Sequence, residues 1–125
     1  MPEKLIYVIQ EHNASHLHYD LRLEKDGVLK SWALPKEPPL KKGIKRLAIS
    51  VKDHELGYEK FKGKIPKGRY GAGTVEVWDE GSYEPLESKE NTLVFNINGK
   101  RLKGPYCLIK LNPKRDKKNW IFFKK

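Results

Sequence analysis

The chain has 125 residues, 38% of them hydrophobic and 34% charged, with a formal net charge of +10. That length suits one domain over residues 1–125 with a single modest core, and no apolar run approaches the roughly 20 residues of a membrane helix, so we expect no membrane association. One cysteine, Cys107, excludes an internal disulfide framework and a cysteine-rich zinc cluster; with no signal-peptide pattern in "MPEKLIYVIQ", the expected location is cytoplasmic.

The positive excess favours a polyanionic partner, nucleic acid first. A lysine-rich surface that only keeps the protein soluble is the plainer alternative. Arginine occurs at five places, Arg22, Arg46, Arg69, Arg101 and Arg115. An arginine inside a polar cluster therefore carries more information than one more lysine, because its planar fork matches phosphate or carboxylate.

Taken in chain order, the hydrophobic period is two rather than 3.6. "KLIYVIQ" reads as a short apolar strand, and "HLHYDLRLE" alternates cleanly. "KDG" then offers a turn at Asp26 and Gly27 before "VLKSWAL", so the two runs predict a hairpin. "PKEPPLKKG" is a Pro-rich connector and "RLAISVKD" another alternating strand. "KGKIPKGRYGAG" reads as loop; it lacks the Lys-Ser/Thr ending of a phosphate-binding P-loop. "TVEVWD" and "SYEPL" predict two strands separated by a turn at Glu80-Gly81. "TLVFNINGKRLKGPYCLIKL" predicts a hairpin turning at Asn98-Gly99, and "NWIFFKK" a β-rich end. Single helical turns fit only near Pro85–Asn91 or Pro113–Lys118. Short strands joined by Gly- and Pro-rich turns predict a mainly β, antiparallel barrel or sandwich with little helix.

Three of the four histidines fall between positions 12 and 18. On a strand over residues 17–24, Leu17, Tyr19, Leu21 and Leu23 share one face, and His18, Asp20, Arg22 and Glu24 the other. His18 and Asp20 leave the same face about 6.5–7 Å apart at Cα. His12 sits just past the first strand, and a turn at Asn13–Ser15 would fold it back over that face; His16 is its rival. Two imidazoles and a carboxylate leave coordination positions open and suit manganese, iron(II), cobalt or zinc. Arg22, one step along, suggests a phosphate clamp. The plainer alternative is an exposed strand face with cross-strand ion pairs. His54, in "SVKDHELGYEKF", could reach a pocket as a phosphate ligand or general acid, although alone it reads as an exposed loop histidine. Lys36 and Arg46 are further candidates for phosphate contact. A nucleic-acid-binding β-barrel without chemistry is the main functional alternative.

The runs "VIQEHNASHLHYDLRLEKDGVLKSWALPKEPP", "VKDHELGYEKFKGKIPKGRYGAGTVEVWDEGSYEP", "NGKRLKGPYCLIKL" and "NWIFFKK" resemble, in order and over nearly the whole chain, the 3′-phosphoesterase domain of bacterial and archaeal DNA ligase D. The resemblance implies a small β-barrel with a crescent-shaped groove. It implies manganese-dependent end-healing of DNA or RNA/DNA primer-template ends: removal of a 3′-terminal ribonucleoside, then of the remaining 3′-phosphate, with Co²⁺ or Zn²⁺ as other metals for the site. It places the metal ligands on His12, His18 and Asp20, which passes over His16, and phosphate contacts on Arg22 and His54. Gln10, Lys36, Arg46 and Tyr58 match further positions that matter for activity, Gln10 and Tyr58 among the catalytic group. Bacterial members carry an N-terminal arm whose basic and acidic residues contribute to activity; this sequence begins almost on the first strand, so the resemblance leaves the balance of diesterase and monoesterase activity open. Polymerase and ligase domains are also absent, so a free-standing module working beside a separate ligase and polymerase is expected.

Overall fold

A computed structural model describes residues 4–65 and 73–125. Its strands are β1 (Leu5–Asn13), β2 (Leu17–Lys25), β3 (Val28–Leu34), β4 (Lys45–Glu55), β5 (Gly63–Ile65), β6 (Gly73–Ser88), β7 (Thr92–Gly99), β8 (Lys103–Asn112) and β9 (Asp116–Lys124). Among the described residues the only helical segment is one 3-10 turn, Tyr58–Lys60. All strand pairs are antiparallel, in the order β1-β2-β3-β4-β9-β8-β7-β6, and β6 pairs back to β1. The sheet thus closes as an eight-stranded barrel, with β5 added along the first residues of β6. Closure removes the open edges that a sheet of this length would otherwise present.

The interior is filled from alternate positions of each strand. Tyr7 and Ile9, Tyr19, Leu21 and Leu23, Trp32 and Leu34, Phe95 and Ile97, Tyr106 and Leu108, and Trp120 and Phe122 form one core. The face predicted to be apolar on β2 is therefore the inner one, except that Leu17 lies at the barrel mouth and stays 47% exposed. The hairpin at Asp26-Gly27 forms as expected: Lys25 pairs with Val28, and both turn residues have positive φ, 53° and 81°, the two-residue geometry that matches strand twist.

Several local expectations are corrected. Glu80-Gly81 is no turn, because β6 runs unbroken through it. Gly81 pairs with Tyr7 on one side and Gly99 on the other. A Cβ on Gly81 would stand 2.1 Å from the Asn98 carbonyl oxygen, so glycine answers a close approach rather than a bend. Asn98 and Gly99 stay in β7, and the chain reverses at Lys100 and Arg101. Buried Asp79 moves the turn there: its Oδ1 accepts Lys100 N and Arg101 N at 2.8 and 2.9 Å, and its Oδ2 accepts Leu102 N at 3.0 Å and the Tyr7 hydroxyl at 2.7 Å. Pro85–Ser88 is strand and the 113–115 segment a plain turn, so neither expected helical turn forms. Of "KGKIPKGRYGAG", Gly63–Ile65 is strand and Gly73 opens β6, while 66–72, with Arg69, lie outside the described residues.

Candidate metal and phosphate site

The polar face of β2 points out of the barrel, and β1 supplies the facing residues. Their register pairs His12 with His18, Gln10 with Asp20 and Val8 with Arg22. His12 is inside β1 rather than beyond it, so strand pairing brings it to His18, and only residues 14–16 form the turn. The two imidazole rings stand 4.6 Å apart. Asp20 Oδ2 lies 3.7 Å from His12 Nδ1 and 3.5 Å from His18 Nε2. One donor atom from each of these three residues lies within 4.8 Å of the other two. Ligand bonds to a first-row divalent ion are about 2.0–2.2 Å, so one ion fits among these atoms with little movement. The donor set, two nitrogens and one carboxylate oxygen, suits a transition metal better than magnesium.

An outward face is ordinarily wet. Here His12, Asp20 and Arg22 are buried, and so is Gln10, and the segment after β4 folds over Gln10 and Arg22. Gly57, at φ 108°, starts the 3-10 turn that carries Tyr58 and then Phe61 across β1. The Gln10 side-chain amide donates to both carbonyls, Tyr58 O at 2.7 Å and Phe61 O at 3.2 Å. Its oxygen accepts Arg22 Nε–H at 2.6 Å. Arg22 Nη1 reaches Ser31 Oγ at 2.7 Å and His54 Nδ1 at 3.0 Å, and Nη2 stands 3.5 Å from Asp20 Oδ2. The Tyr58 ring lies 4.9 Å from the guanidinium carbon and 4.6 Å from the His54 ring. A cation is thus held beside three candidate metal ligands, with its planar fork suited to pair with an anion.

The titration behaviour follows from this packing. The Asp20 carboxylate, hydrogen-bonded to His18, holds that imidazole above its ordinary value despite partial burial. Burial, and then the Arg22 charge, hold His54 below it. Burial also lowers Arg22, although a guanidinium keeps its charge throughout the accessible range.

Residues 10–110 match the profile of the DNA Ligase D 3′-phosphoesterase domain. The chain belongs to this family. A multifunctional non-homologous end joining protein LigD of Pseudomonas aeruginosa is 47% identical over 125 residues, covering 96% of this chain. The multifunctional non-homologous end joining DNA repair protein LigD of Mycobacterium tuberculosis is 46% identical over 113 residues, 87% of this chain, and the multifunctional non-homologous end joining protein LigD of Mycolicibacterium smegmatis 43% over 126 residues, 92% of it. The chain spans only 15–16% of the length of these relatives.

In this ligase D phosphoesterase domain the structure brings together seven of the residues singled out from sequence: Gln10, His12, His18, Asp20, Arg22, His54 and Tyr58. His16 is exposed in the β1–β2 turn. Two others lie apart. Lys36 is exposed past the end of β3, and no described contact joins it to the cluster. Arg46 pairs with the core residue Phe122, which puts its side chain on the inner face of the sheet, and its Nε donates to Glu37 O at 2.7 Å. Ser31 was missed. It is the cross-strand partner of Arg22, and the only sequence signal was a small polar residue within "VLKSWAL".

Proposed function

We propose that this chain is a metal-dependent phosphoesterase acting on DNA or RNA/DNA 3′ ends. It removes a 3′-terminal ribonucleoside and then the 3′-phosphate, leaving a hydroxyl that a ligase or polymerase can use. Residues 1–125 work in it as one 3′-phosphoesterase unit. The observation that carries this reading is the 3.5 Å separation of Arg22 Nη2 from Asp20 Oδ2, within the three-residue donor set. An arginine so close to a metal-ligand carboxylate is useful if both address one phosphate.

His12, His18 and Asp20 would hold the ion, with manganese as the expected metal and cobalt or zinc as substitutes. When bound, it would polarise phosphorus and lower the charge that an attacking water meets. Arg22 binds a non-bridging oxygen through Nη2, the nitrogen with no short hydrogen bond to the described residues. His54, neutral near pH 7 because its pKa is lowered, contributes a hydrogen bond to the phosphate rather than a full charge. Gln10 is fully buried and holds Arg22 from below; Tyr58 holds Gln10 through its carbonyl and covers Arg22 with its ring. Their contribution is to keep the fork at a fixed angle, which matters because small misplacements cost large factors in rate. The surplus of lysines draws in the nucleic acid and makes binding salt-dependent.

The test is an end-labelled primer-template ending in ribonucleotides, incubated with Mn²⁺ or with EDTA. Loss of one terminal nucleoside followed by appearance of a 3′-hydroxyl, abolished by EDTA, is expected. Binding without turnover under every divalent metal would instead support a non-catalytic nucleic-acid-binding barrel.

A further inference from the structure

The Arg22 guanidinium carries five N–H donors. Its Nε–H goes to Gln10 Oε1, and its Nη1 hydrogens to Ser31 Oγ at 2.7 Å and His54 Nδ1 at 3.0 Å. Ser31 is buried, and its own hydroxyl hydrogen goes to Leu29 O at 3.1 Å, so toward Arg22 its oxygen can only accept. At His54 two contacts compete. Nδ1 lies 3.0 Å from Arg22 Nη1 and 3.1 Å from Lys52 O. The carbonyl requires a hydrogen on Nδ1, whereas Arg22 requires the lone pair, and a neutral ring has one proton to place. Arginine keeps its protons, so with Nη1 aimed at Nδ1 the ring proton belongs on Nε2.

We infer that Ser31 is a positioning residue that selects this tautomer. By accepting one Nη1 hydrogen it turns the other toward His54. The guanidinium is planar, so Gln10 at Nε and Ser31 at Nη1 together fix the direction of Nη2 toward Asp20. His54 then offers Nε2–H as a donor to an anion, and Nη2 remains for the same anion. Without the Ser31 oxygen, Nη1 is free to swing, and the Nδ1–H form bonded to Lys52 O becomes competitive. The effect on rate rests on the phosphoesterase reading; the tautomer does not.

The experiment compares wild type, Ser31→Ala and Ser31→Thr, ¹⁵N-labelled and metal-free at pH 8, by long-range ¹H–¹⁵N spectra of His54. Wild type is expected to show Nε2–H alone, Ser31→Ala a mixture containing Nδ1–H, and Ser31→Thr the wild-type pattern. Thermal melts check that both variants are folded. With Mn²⁺ and the labelled primer-template, Ser31→Ala is expected to lose about tenfold in kcat or more, and Ser31→Thr to recover most of it. Nδ1–H in wild type, an unchanged tautomer in Ser31→Ala, or full activity in Ser31→Ala overturns the inference. If the tautomer shifts as expected but even wild type leaves the primer intact, the phosphoesterase reading fails and the assignment of Ser31 to the His54 tautomer stands.

Discussion

Arg22 Nη2 stands 3.5 Å from Asp20 Oδ2, the same carboxylate oxygen that lies 3.5 Å from His18 Nε2. A cation and a candidate metal ligand thus share one oxygen. The arrangement opposes metal binding slightly and favours a metal-bound anion strongly, so the two effects have opposite signs in an Arg22 variant. Arg22→Met is expected to bind Mn²⁺ more tightly than wild type by calorimetry, while kcat/KM for the primer-template falls about 10²–10³-fold. Looser Mn²⁺ binding in Arg22→Met would show that Arg22 supports the metal site rather than the phosphate.

Removing a donor from the triad acts differently. Changing an outer partner of a ligand typically costs about 10–100-fold in metal affinity, so Asp20→Asn and His12→Ala are each expected to weaken Mn²⁺ by at least the upper figure. His16→Ala, in the exposed turn, should leave affinity within about twofold, since a lone exposed imidazole adds little. Wild-type Mn²⁺ affinity in Asp20→Asn would remove that carboxylate from the site.

How much of this could be read from the sequence depended on the range of the interaction involved. The inward and outward sets on β2 were legible because alternation is local, and so was the Asp26-Gly27 turn. The expectation for Glu80-Gly81 went wrong because a Glu-Gly pair resembles a turn locally. Only the close approach of β6 to Asn98-Gly99 of β7 shows why a Cβ is forbidden there. The displaced β7–β8 turn has the same origin, since Asp79 acts on it from another strand, 21 to 23 residues away. The burial of the site was equally hidden. Tyr58 and Phe61, which roof Gln10, lie 48 and 51 residues further along the chain. Glu24, the last residue on the outward polar face of β2, proves structural: its Oε1 accepts Ile6 N of β1 at 3.0 Å.

His54 gives a pH prediction with a definite sign. Burial, and then Arg22, place its folded-state pKa below the ordinary imidazole value, near 6.5. The unfolded chain therefore takes up this proton more readily as pH falls. The stability tied to neutral His54 is complete above about pH 6.5 and is lost as pH drops through the folded value. An NMR titration of the His54 Cε1–H should give a midpoint below 6.5, and His54→Gln should flatten the acid limb of stability against pH. A midpoint above the ordinary value would contradict the packing described for this ring.

Asp79 separates folding from chemistry. It satisfies three backbone N–H groups and the Tyr7 hydroxyl, and Asp79→Asn turns an amide N–H₂ toward some of those donors. A loss of about 2–4 kcal/mol in unfolding free energy is expected from denaturant titration. Below its melting temperature the variant should keep kcat within about threefold, because Asp79 touches neither the triad nor Arg22 among the contacts described. A larger fall in kcat in a fully folded Asp79→Asn protein would tie the Lys100–Arg101 turn to the reaction.

The most direct measurement is a crystal structure of the protein with Mn²⁺ and inorganic phosphate, using anomalous scattering to place the metal. The expected result is one ion bonded to His12, His18 and Asp20 at about 2.0–2.3 Å, with a phosphate oxygen on the metal and another within hydrogen-bond distance of Arg22 Nη2. Manganese bound elsewhere, or phosphate bound without touching both the ion and Arg22, would contradict the account.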